Sequence, residues 1–406
     1  MRELVDSTPI AGDPAALRAA IADRGYVFLR GLLDPAPIRK LARDVLGALQ
    51  RDGWLAGGAD PERAALLPPA RDFKNANFVP GYTDVQRIEY LHALPHDPAL
   101  TSVLRALVGE DVFCHPRKVA RLVWPAELGT TPGLYVHQDF VVEGVADMFT
   151  TWVPFVECPP ELGGLAILTG SQNEGVQARF DAVDPDDERW ASTHYRVGDV
   201  LLFHCLTAHG ALPNRTDRLR LSADYRWQSA STPVPADALG PHLAGALPGW
   251  DELGADWADR SWVTPPEGVR VVERSGGEAA GVPASRFVRV PEQSPAEGEH
   301  VVLAGLFNNM RDAFRPRKAG GREAVVDYRI AGDGTDHHWQ LVVSGGECAV
   351  AARPDSVGQV TISASFADYL KIVSGKMDPM GALGSGRLRI EGAAELAVEQ
   401  LNWFRD

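Results

Sequence analysis

The chain has 406 residues, 45% hydrophobic and 23% charged, a balance that excludes a largely disordered protein and is long enough for two cores. Its 40 Lys and Arg against 54 Asp and Glu leave a formal charge of -14, which repels nucleic acid and anionic membrane surfaces, so neither is an expected partner. Cys114, Cys158, Cys205 and Cys348 form no CxxC pair, the N-terminus lacks a signal-peptide pattern and no apolar run could cross a bilayer, so a cytoplasmic protein without disulfides, zinc knuckles or membrane insertion is expected.

The stretch DPAALRAAIADRGYVFLRGLL opens with Asp13 as a candidate N-cap and Pro14 at the first helical position, then runs through a short amphipathic helix into β-rich YVFLRG. A second helix is expected from Pro35 to about Gln50. From Val112 to about Trp227 the pattern changes to short β-rich runs, KVARLVW, LYVHQDF, FTTWVPF, LAILTG, DVLLFHCL and LRLSADYRW, broken by Gly, Pro and Asn. That spacing predicts an all-β sandwich or barrel with the site inside it. Residues 1–265 are read as one domain and residues 266–297, rich in Pro, Gly, Ala, Ser and Glu, as a linker carrying one or two edge strands. Residues 298–406 are read as an α+β domain: a helix with Leu303, Leu306, Phe307, Met310 and Phe314 on one face, four strands, and the helices of FADYLKIVSGK and AAELAVEQLNWF.

In LYVHQDF, read as a strand, His137 and Asp139 stand two apart and share a face, so they can converge on one point. An imidazole and a carboxylate suit Fe(II) or zinc, and with a second histidine they make the facial triad of non-haem iron oxygenases. The bland alternative is a partly buried histidine bonded to a neighbouring acid. Downstream, His204 and His209 each stand near a strand end, and His209 is favoured because it precedes the GALPN connection to RLRLSADYRW. On that strand Arg218, Arg220 and Ser222 fall on one face. Inside a barrel such a face is costly without an anion, and a dicarboxylate is the natural partner of a guanidinium. Alternatively these arginines face solvent or pair with Asp217 and Asp224.

The order and spacing of YVHQDF, TTWVPFVECPPELGGLAILTGSQNEG and GDVLLFHCLTAHGALPNRTDRLRLSADYRW, with LRAAIADRGYVFLRGLL before them, resemble the phytanoyl-CoA dioxygenase-like family of Fe(II)- and 2-oxoglutarate-dependent oxygenases over about residues 10–260. The resemblance implies a double-stranded β-helix, jelly-roll or cupin-like, with flanking helices. It assigns His137, Asp139 and His209 to the metal, Arg220 to the distal carboxylate of 2-oxoglutarate and Ser222 to the same pocket. Trp152 matches a family tryptophan that lines the cosubstrate pocket, or is a core aromatic, and the family's basic residue before the HxD pair could be Lys118 or Arg121. The tip Leu168-Thr169-Gly170-Ser171 departs from the usual Pro-Gly-Ser-His.

With Fe(II), 2-oxoglutarate as cosubstrate and dioxygen, the implied reaction yields succinate and carbon dioxide and hydroxylates an unactivated C–H bond of a small hydrophobic metabolite or natural-product intermediate. Desaturation and cyclisation are variants, and the Asp139 carboxylate leaves no room for the halide of related halogenases. Residues 298–406, most clearly in FADYLKIVSGKMDPMGALGSGRLRIEGAAELAVEQL, resemble the sterol-carrier-protein-2 family, a five-stranded sheet with helices around an apolar tunnel. Dimerisation to a homodimer or a structural role is favoured there over substrate binding. Two other readings remain: a zinc-dependent hydrolase using the same triad, and a lipid or acyl carrier with an inactive oxygenase domain.

Overall fold

The computed structural model describes residues 1–55, 79–126, 136–177, 184, 186–243, 247–272, 285–290, 294–332, 335–354, 356–373 and 377–404. The chain splits into two compact units, one from residues 1–174, 181–273 and 284–290, the other chiefly from 291–406.

The first unit opens with β1 (Arg2–Glu3), α1 (Pro14–Arg24), β2 (Tyr26–Leu29) and α2 (Pro35–Arg51). Asp13 caps α1 by accepting from the amides of Ala15 and Ala16, and Gly25 ends it in the left-handed region at φ 82°. A side chain at Gly25 would stand 2.4 Å from Gln172 Oε1 and 2.6 Å from Thr207 Oγ1, so only glycine lets the helix turn this closely into β2. Three helices follow, α3 (Val79–Gln86), α4 (Glu89–Ala93) and α5 (Pro98–Val108). The barrel strands are β3 (Val112–Cys114), β4 (Val119–Val123), β5 (Phe149–Pro154), β6 (Leu165–Leu168), β7 (Trp190–Ser192), β8 (Val200–His204), β9 (His209–Ala211) and β10 (Arg220–Ser229), with α6 (Asp139–Glu143) between β4 and β5.

Two sheets result. The larger has the order β2-β8-β5-β10-β3 with β4 also on β10, and the smaller β1-β7-β6-β9. Tyr26, Phe28, Trp152, Leu201 and Phe203 from the larger sheet meet Leu165, Ile167, Ala191 and Ala211 from the smaller in one core. This is the double-stranded β-helix, jelly-roll and cupin-like, packed face to face. All ten residues of β10 are buried: Arg220, Ser222, Asp224 and Arg226 alternate on the inner face, Leu221, Ala223, Tyr225 and Trp227 on the outer. The Tyr225 hydroxyl donates to the Leu91 carbonyl at 3.2 Å, tying the outer face to the helical layer.

After β10 come β11 (Val234–Pro235), α7 (Trp250–Leu253) and β12 (Val271–Val272), the two strands pairing in parallel. Within the stretch read as a linker, Phe287 and Val288 are buried, Phe287 packs edge-on against Phe149 at 4.9 Å, and Ser285 Oγ donates to Asp147 Oδ1 at 2.6 Å. These residues strap onto the first unit, while 273–284 and 291–293 lie outside the described residues.

The second unit is α+β. It contains α8 (Pro295–Ala313), α9 (Pro316–Ala319), β13 (Ala324–Ala331), β14 (Asp336–Ser344), β15 (Glu347–Ala352), β16 (Val360–Ser365), α10 (Phe366–Val373), α11 (Pro379–Gly384), β17 (Leu388–Gly392) and α12 (Ala394–Glu399). Its sheet order is β15-β14-β13-β16-β17. Phe307 of α8 stacks on Trp339 at 4.9 Å and meets Tyr328 at 4.9 Å, with Tyr369 6.0 Å away. All four described cysteines are free, and no helix among the described residues is long and apolar enough to cross a membrane.

Three histidines of the helical layer and β3 edge are held neutral. Burial, then Lys118, brings His92 down to about 3 and His96 to about 4, and burial brings His115 to about 4. Each binds its proton more weakly folded than unfolded, so the unfolded state gains protons first as pH falls below 6.5. The expected result is that stability of the first unit drops steadily from about pH 6.5 to 4, by roughly 1.4 kcal/mol per histidine per pH unit within that window. Urea midpoints measured across this range check it; a midpoint flat from pH 7 to 5 would contradict it.

Candidate active site

His137 lies opposite His209, each amide donating to the other's carbonyl at 2.9 and 3.0 Å. The strand expected over LYVHQDF is not formed in its described part: residues 134 and 135 lie outside the described residues, His137 makes a single bridge, and α6 begins at Asp139. The local reason is a set of competing bonds. Gln138 Nε2 donates to the Leu206 carbonyl at 2.7 Å, the Phe140 amide donates to the Cys205 carbonyl at 3.0 Å, and Gly144 closes the turn at φ 69°. A helical turn rather than strand alternation therefore aims Asp139.

The ligand atoms of His137, Asp139 and His209 lie within 4.8 Å of one another. Asp139 Oδ1 is 3.7 Å from His137 Nε2 and 3.9 Å from His209 Nε2, so one carboxylate oxygen and two imidazole nitrogens face a common point. His209 Nδ1 is 3.0 Å from the Thr207 carbonyl. That contact places its hydrogen on Nδ1 and leaves the Nε2 lone pair for a metal. Burial and the neighbouring His137 bring His209 down to about 4, so at neutral pH protons do not compete for that lone pair. Burial alone would raise the Asp139 pKa, but the Arg226 guanidinium and both imidazoles outweigh it and hold the carboxyl well below its usual range. Two imidazoles and one carboxylate, converging with an open side, suit a divalent metal.

His204 stands elsewhere. It lies on the other face of β8, with Nε2 3.7 Å from Asp147 Oδ1 and its ring 5.3 Å from Phe149.

Around the ligands the structure adds residues that spacing had not marked. Thr150 Oγ1 donates to Asp139 Oδ2, and Arg226 Nη2 donates to Asp139 Oδ1 at 3.3 Å. Glu143 pairs with Arg117 and stands 3.6 Å from Arg226 Nε. Arg226 continues the period-two face of Arg220 and Ser222, and Thr150 shares a face with Trp152, so both were findable by extending the alternation. Replacing Thr150 by Val keeps the shape but frees the carboxylate to rotate. Metal affinity is expected to fall about 10- to 100-fold, read by competitive titration with Co(II).

Further along β10 lies a second constellation. Arg220 is 2% exposed, donates through Nη1 to the Gly163 carbonyl at 2.8 Å, and stands 5.7 Å over the Trp152 ring. Arg220 Nε, Ser222 Oγ and Trp152 Nε1 are buried without hydrogen-bond partners among the described residues. No carboxylate among the described residues pairs with Arg220, whose pKa is lowered chiefly by burial. A buried cation with idle donors beside it suits a carboxylate-bearing ligand. Gly163 holds φ 82°, and a side chain there would stand 2.3 Å from the Leu212 carbonyl, so the loop that orients Arg220 depends on glycine.

Arg218 is not brought to this face. It precedes β10, is half-exposed, and borders an outer pocket with Arg39, Arg43 and Glu157. Of the two basic candidates before the HxD pair, Lys118 donates to the His115 and Trp262 carbonyls at 2.6 and 2.8 Å, and Arg121 pairs with Asp224 at 2.6 Å.

A family model for phytanoyl-CoA dioxygenase (PhyH) matches residues 21–222. Residues 21–222 belong to that family. The PhyH domain is followed by an SCP-2 sterol transfer family domain at residues 308–402. The chain is 28% identical over 265 residues to 1-deoxypentalenic acid 11-beta-hydroxylase of Streptomyces exfoliatus, covering 59% of this chain and 90% of that protein. Human sterol carrier protein 2 is 29% identical over 119 residues, 29% of this chain and 18% of that protein. Among solved structures, EctD from S. alaskensis with bound Fe is similar at 20% identity and TM-score 0.40, covering 67% of this chain and 91% of that one. Family and hydroxylase relative are those of an oxygenase, and the His, Asp, His group lies inside the PhyH domain.

Proposed function

We propose that the protein is an Fe(II)- and 2-oxoglutarate-dependent dioxygenase that hydroxylates an unactivated C–H bond of a small hydrophobic natural-product intermediate. His137, Asp139 and His209 would hold the iron, and Arg220 with Ser222 and Trp152 the distal carboxylate of 2-oxoglutarate. The observation that carries the reading is the pairing of two sites in one domain: a metal triad from the 137–139 turn and β9, and, on the inner face of β10, a buried guanidinium without a carboxylate partner among the described residues. A hydrolase built on the triad has no use for that second site.

When bound, iron would bring dioxygen, the oxidant, together with 2-oxoglutarate, which would give up two of the four electrons that dioxygen takes, the substrate C–H bond giving the other two. The chain's own residues bind, orient and exclude. The neutral His209 offers its Nε2, Asp139 is kept ionised and fixed by Thr150 and Arg226, and Arg220 fixes one end of the cosubstrate so that its other end reaches the metal. Trp152, Phe203 and Ile167 close the apolar side against water. The hydroxylase relative's name, which places its substrate among 1-deoxypentalenic acid-type natural products, supports a substrate with an apolar body. The stacked Phe307, Trp339 and Tyr369 are buried in the core of the second unit, which supports a structural role there rather than catalysis.

The test is anaerobic loading with Fe(II) and 2-oxoglutarate followed by oxygen. A charge-transfer absorption on loading and release of succinate on oxygenation are expected. Zinc retention with hydrolysis, or ligand binding without succinate, would replace the reading with a hydrolase or a carrier.

A further inference from the structure

We propose that Arg226 sets the redox preference of the metal site: its positive charge, bonded to the metal-facing oxygen of Asp139, favours Fe(II) over Fe(III). The inference rests on the oxygenase reading above and adds to it a positioning residue that acts on the metal through one of its ligands.

The two oxygens of Asp139 are held by different kinds of donor. Oδ2 accepts from the Thr150 hydroxyl, which is neutral. Oδ1 accepts from Arg226 Nη2 at 3.3 Å, and it is also the oxygen that stands 3.7 Å from His137 Nε2 and 3.9 Å from His209 Nε2. The guanidinium therefore bonds the oxygen that faces the metal point, whereas Thr150 bonds the other. A carboxylate oxygen has two lone-pair positions, so one remains for the metal while Arg226 occupies its neighbour. Thr150 of β5 lies opposite Arg226 of β10, so one cross-strand pair supplies both donors.

An arginine at this position acts in two ways. As a donor it orients Asp139, as Thr150 does. As a cation it also repels the metal, and because Coulomb energy grows with the product of the charges, it repels a trivalent ion more than a divalent one. Arginine stays charged at any working pH. Arg226 is 4% exposed and Asp139 2%, so water and salt screen that charge far less than they would at the surface. Glu143 stands 3.6 Å from Arg226 Nε and Asp224 3.7 Å from Nη2. Glu143 also pairs with Arg117, and Asp224 with Arg121 at 2.6 Å, so Arg226 shares both acids rather than being neutralised by them. The same sharing lets the fold tolerate a neutral side chain at 226, since each acid keeps a second arginine. An oxygenase that must meet dioxygen with ferrous iron gains from such a bias.

The experiment is an anaerobic, mediator-coupled redox titration of the iron-loaded full chain without 2-oxoglutarate, with Fe(III) followed by electron paramagnetic resonance. Arg226→Met and Arg226→Gln are expected to lower the preference for Fe(II) at least about tenfold, a fall in midpoint of about 59 mV or more for one electron. Glutamine keeps an N–H donor without the charge, so the two variants together separate charge from orientation. Arg226→Lys, which keeps the charge, should stay nearer to wild type than either. Thr150→Val removes an orienting bond and no charge, so its preference should stay within about threefold of wild type even as its metal affinity falls. Asp224→Asn keeps Arg226 and removes a carboxylate 3.7 Å from it, so its midpoint should rise, and it decides the matter if the neutral variants at 226 do not fold. A midpoint unchanged or raised in a folded neutral variant, an equal fall in Thr150→Val, or no rise in Asp224→Asn would each overturn the inference. A wild-type chain that binds no iron would sink the oxygenase reading and this inference together, whereas bound iron indifferent to the charge at 226 would sink the inference alone.

Discussion

His137→Ala is expected to abolish succinate formation and to weaken divalent metal binding by more than about a hundredfold. The scale follows from position: losing a residue that merely orients a ligand already costs about 10- to 100-fold, and His137 offers its own nitrogen 3.7 Å from the Asp139 oxygen that faces the same point. The variant should fold, because the bridge between residues 137 and 209 is made by backbone atoms that alanine retains. His204→Ala is the matched control. His204 is fully buried against Phe149 and Asp147, so its loss should lower stability while leaving metal affinity intact. Titration with Fe(II) or Co(II), together with chromatographic succinate assays, separates the two. Full turnover in the first variant would remove the metal assignment.

How much of this was legible in the chain follows from the range over which each signal acts. Side chains that alternate along one strand are readable, so Arg220 and Ser222 share a face in the sequence as they do in β10, and Arg226 and Thr150 lay within reach of the same rule. Asp139 converges with the two histidines for a different local reason than strand alternation. Bonds from Gln138 and Phe140 to the carbonyls of Leu206 and Cys205, more than sixty positions away, turn the chain into α6. The strap at Ser285 to Val288 was hidden because a linker-like average composition outweighs two apolar residues, although burial of Phe287 is what docks it. Arg218 obeys the period but precedes the strand, which shows that alternation assigns a face only where a ladder enforces it.

For Arg220→Met two effects of opposite sign are expected. In the ligand-free protein the guanidinium is 2% exposed with one bond to Gly163 and no carboxylate partner among the described residues, so it costs hydration that a methionine of similar length does not. Stability of the ligand-free form should hold or rise by about 1 kcal/mol. Affinity for 2-oxoglutarate should fall by about 2–3 kcal/mol, roughly 30- to 150-fold, as charged hydrogen bonds to the distal carboxylate are lost. Arg220→Lys should fall between, since an ammonium restores the charge but not the forked geometry. Arg218→Ala should leave the affinity within about twofold of wild type, because surface arginines contribute little. If Arg220 instead held a structural ion pair, its removal would destabilise the ligand-free protein by about 3–5 kcal/mol. Thermal unfolding with and without saturating 2-oxoglutarate reads both effects together, since a bound ligand raises the wild-type midpoint in proportion to the logarithm of its excess over Kd. A variant that starts at or above the wild-type midpoint and gains little from the ligand fits only an arginine kept buried for an anion that arrives from outside.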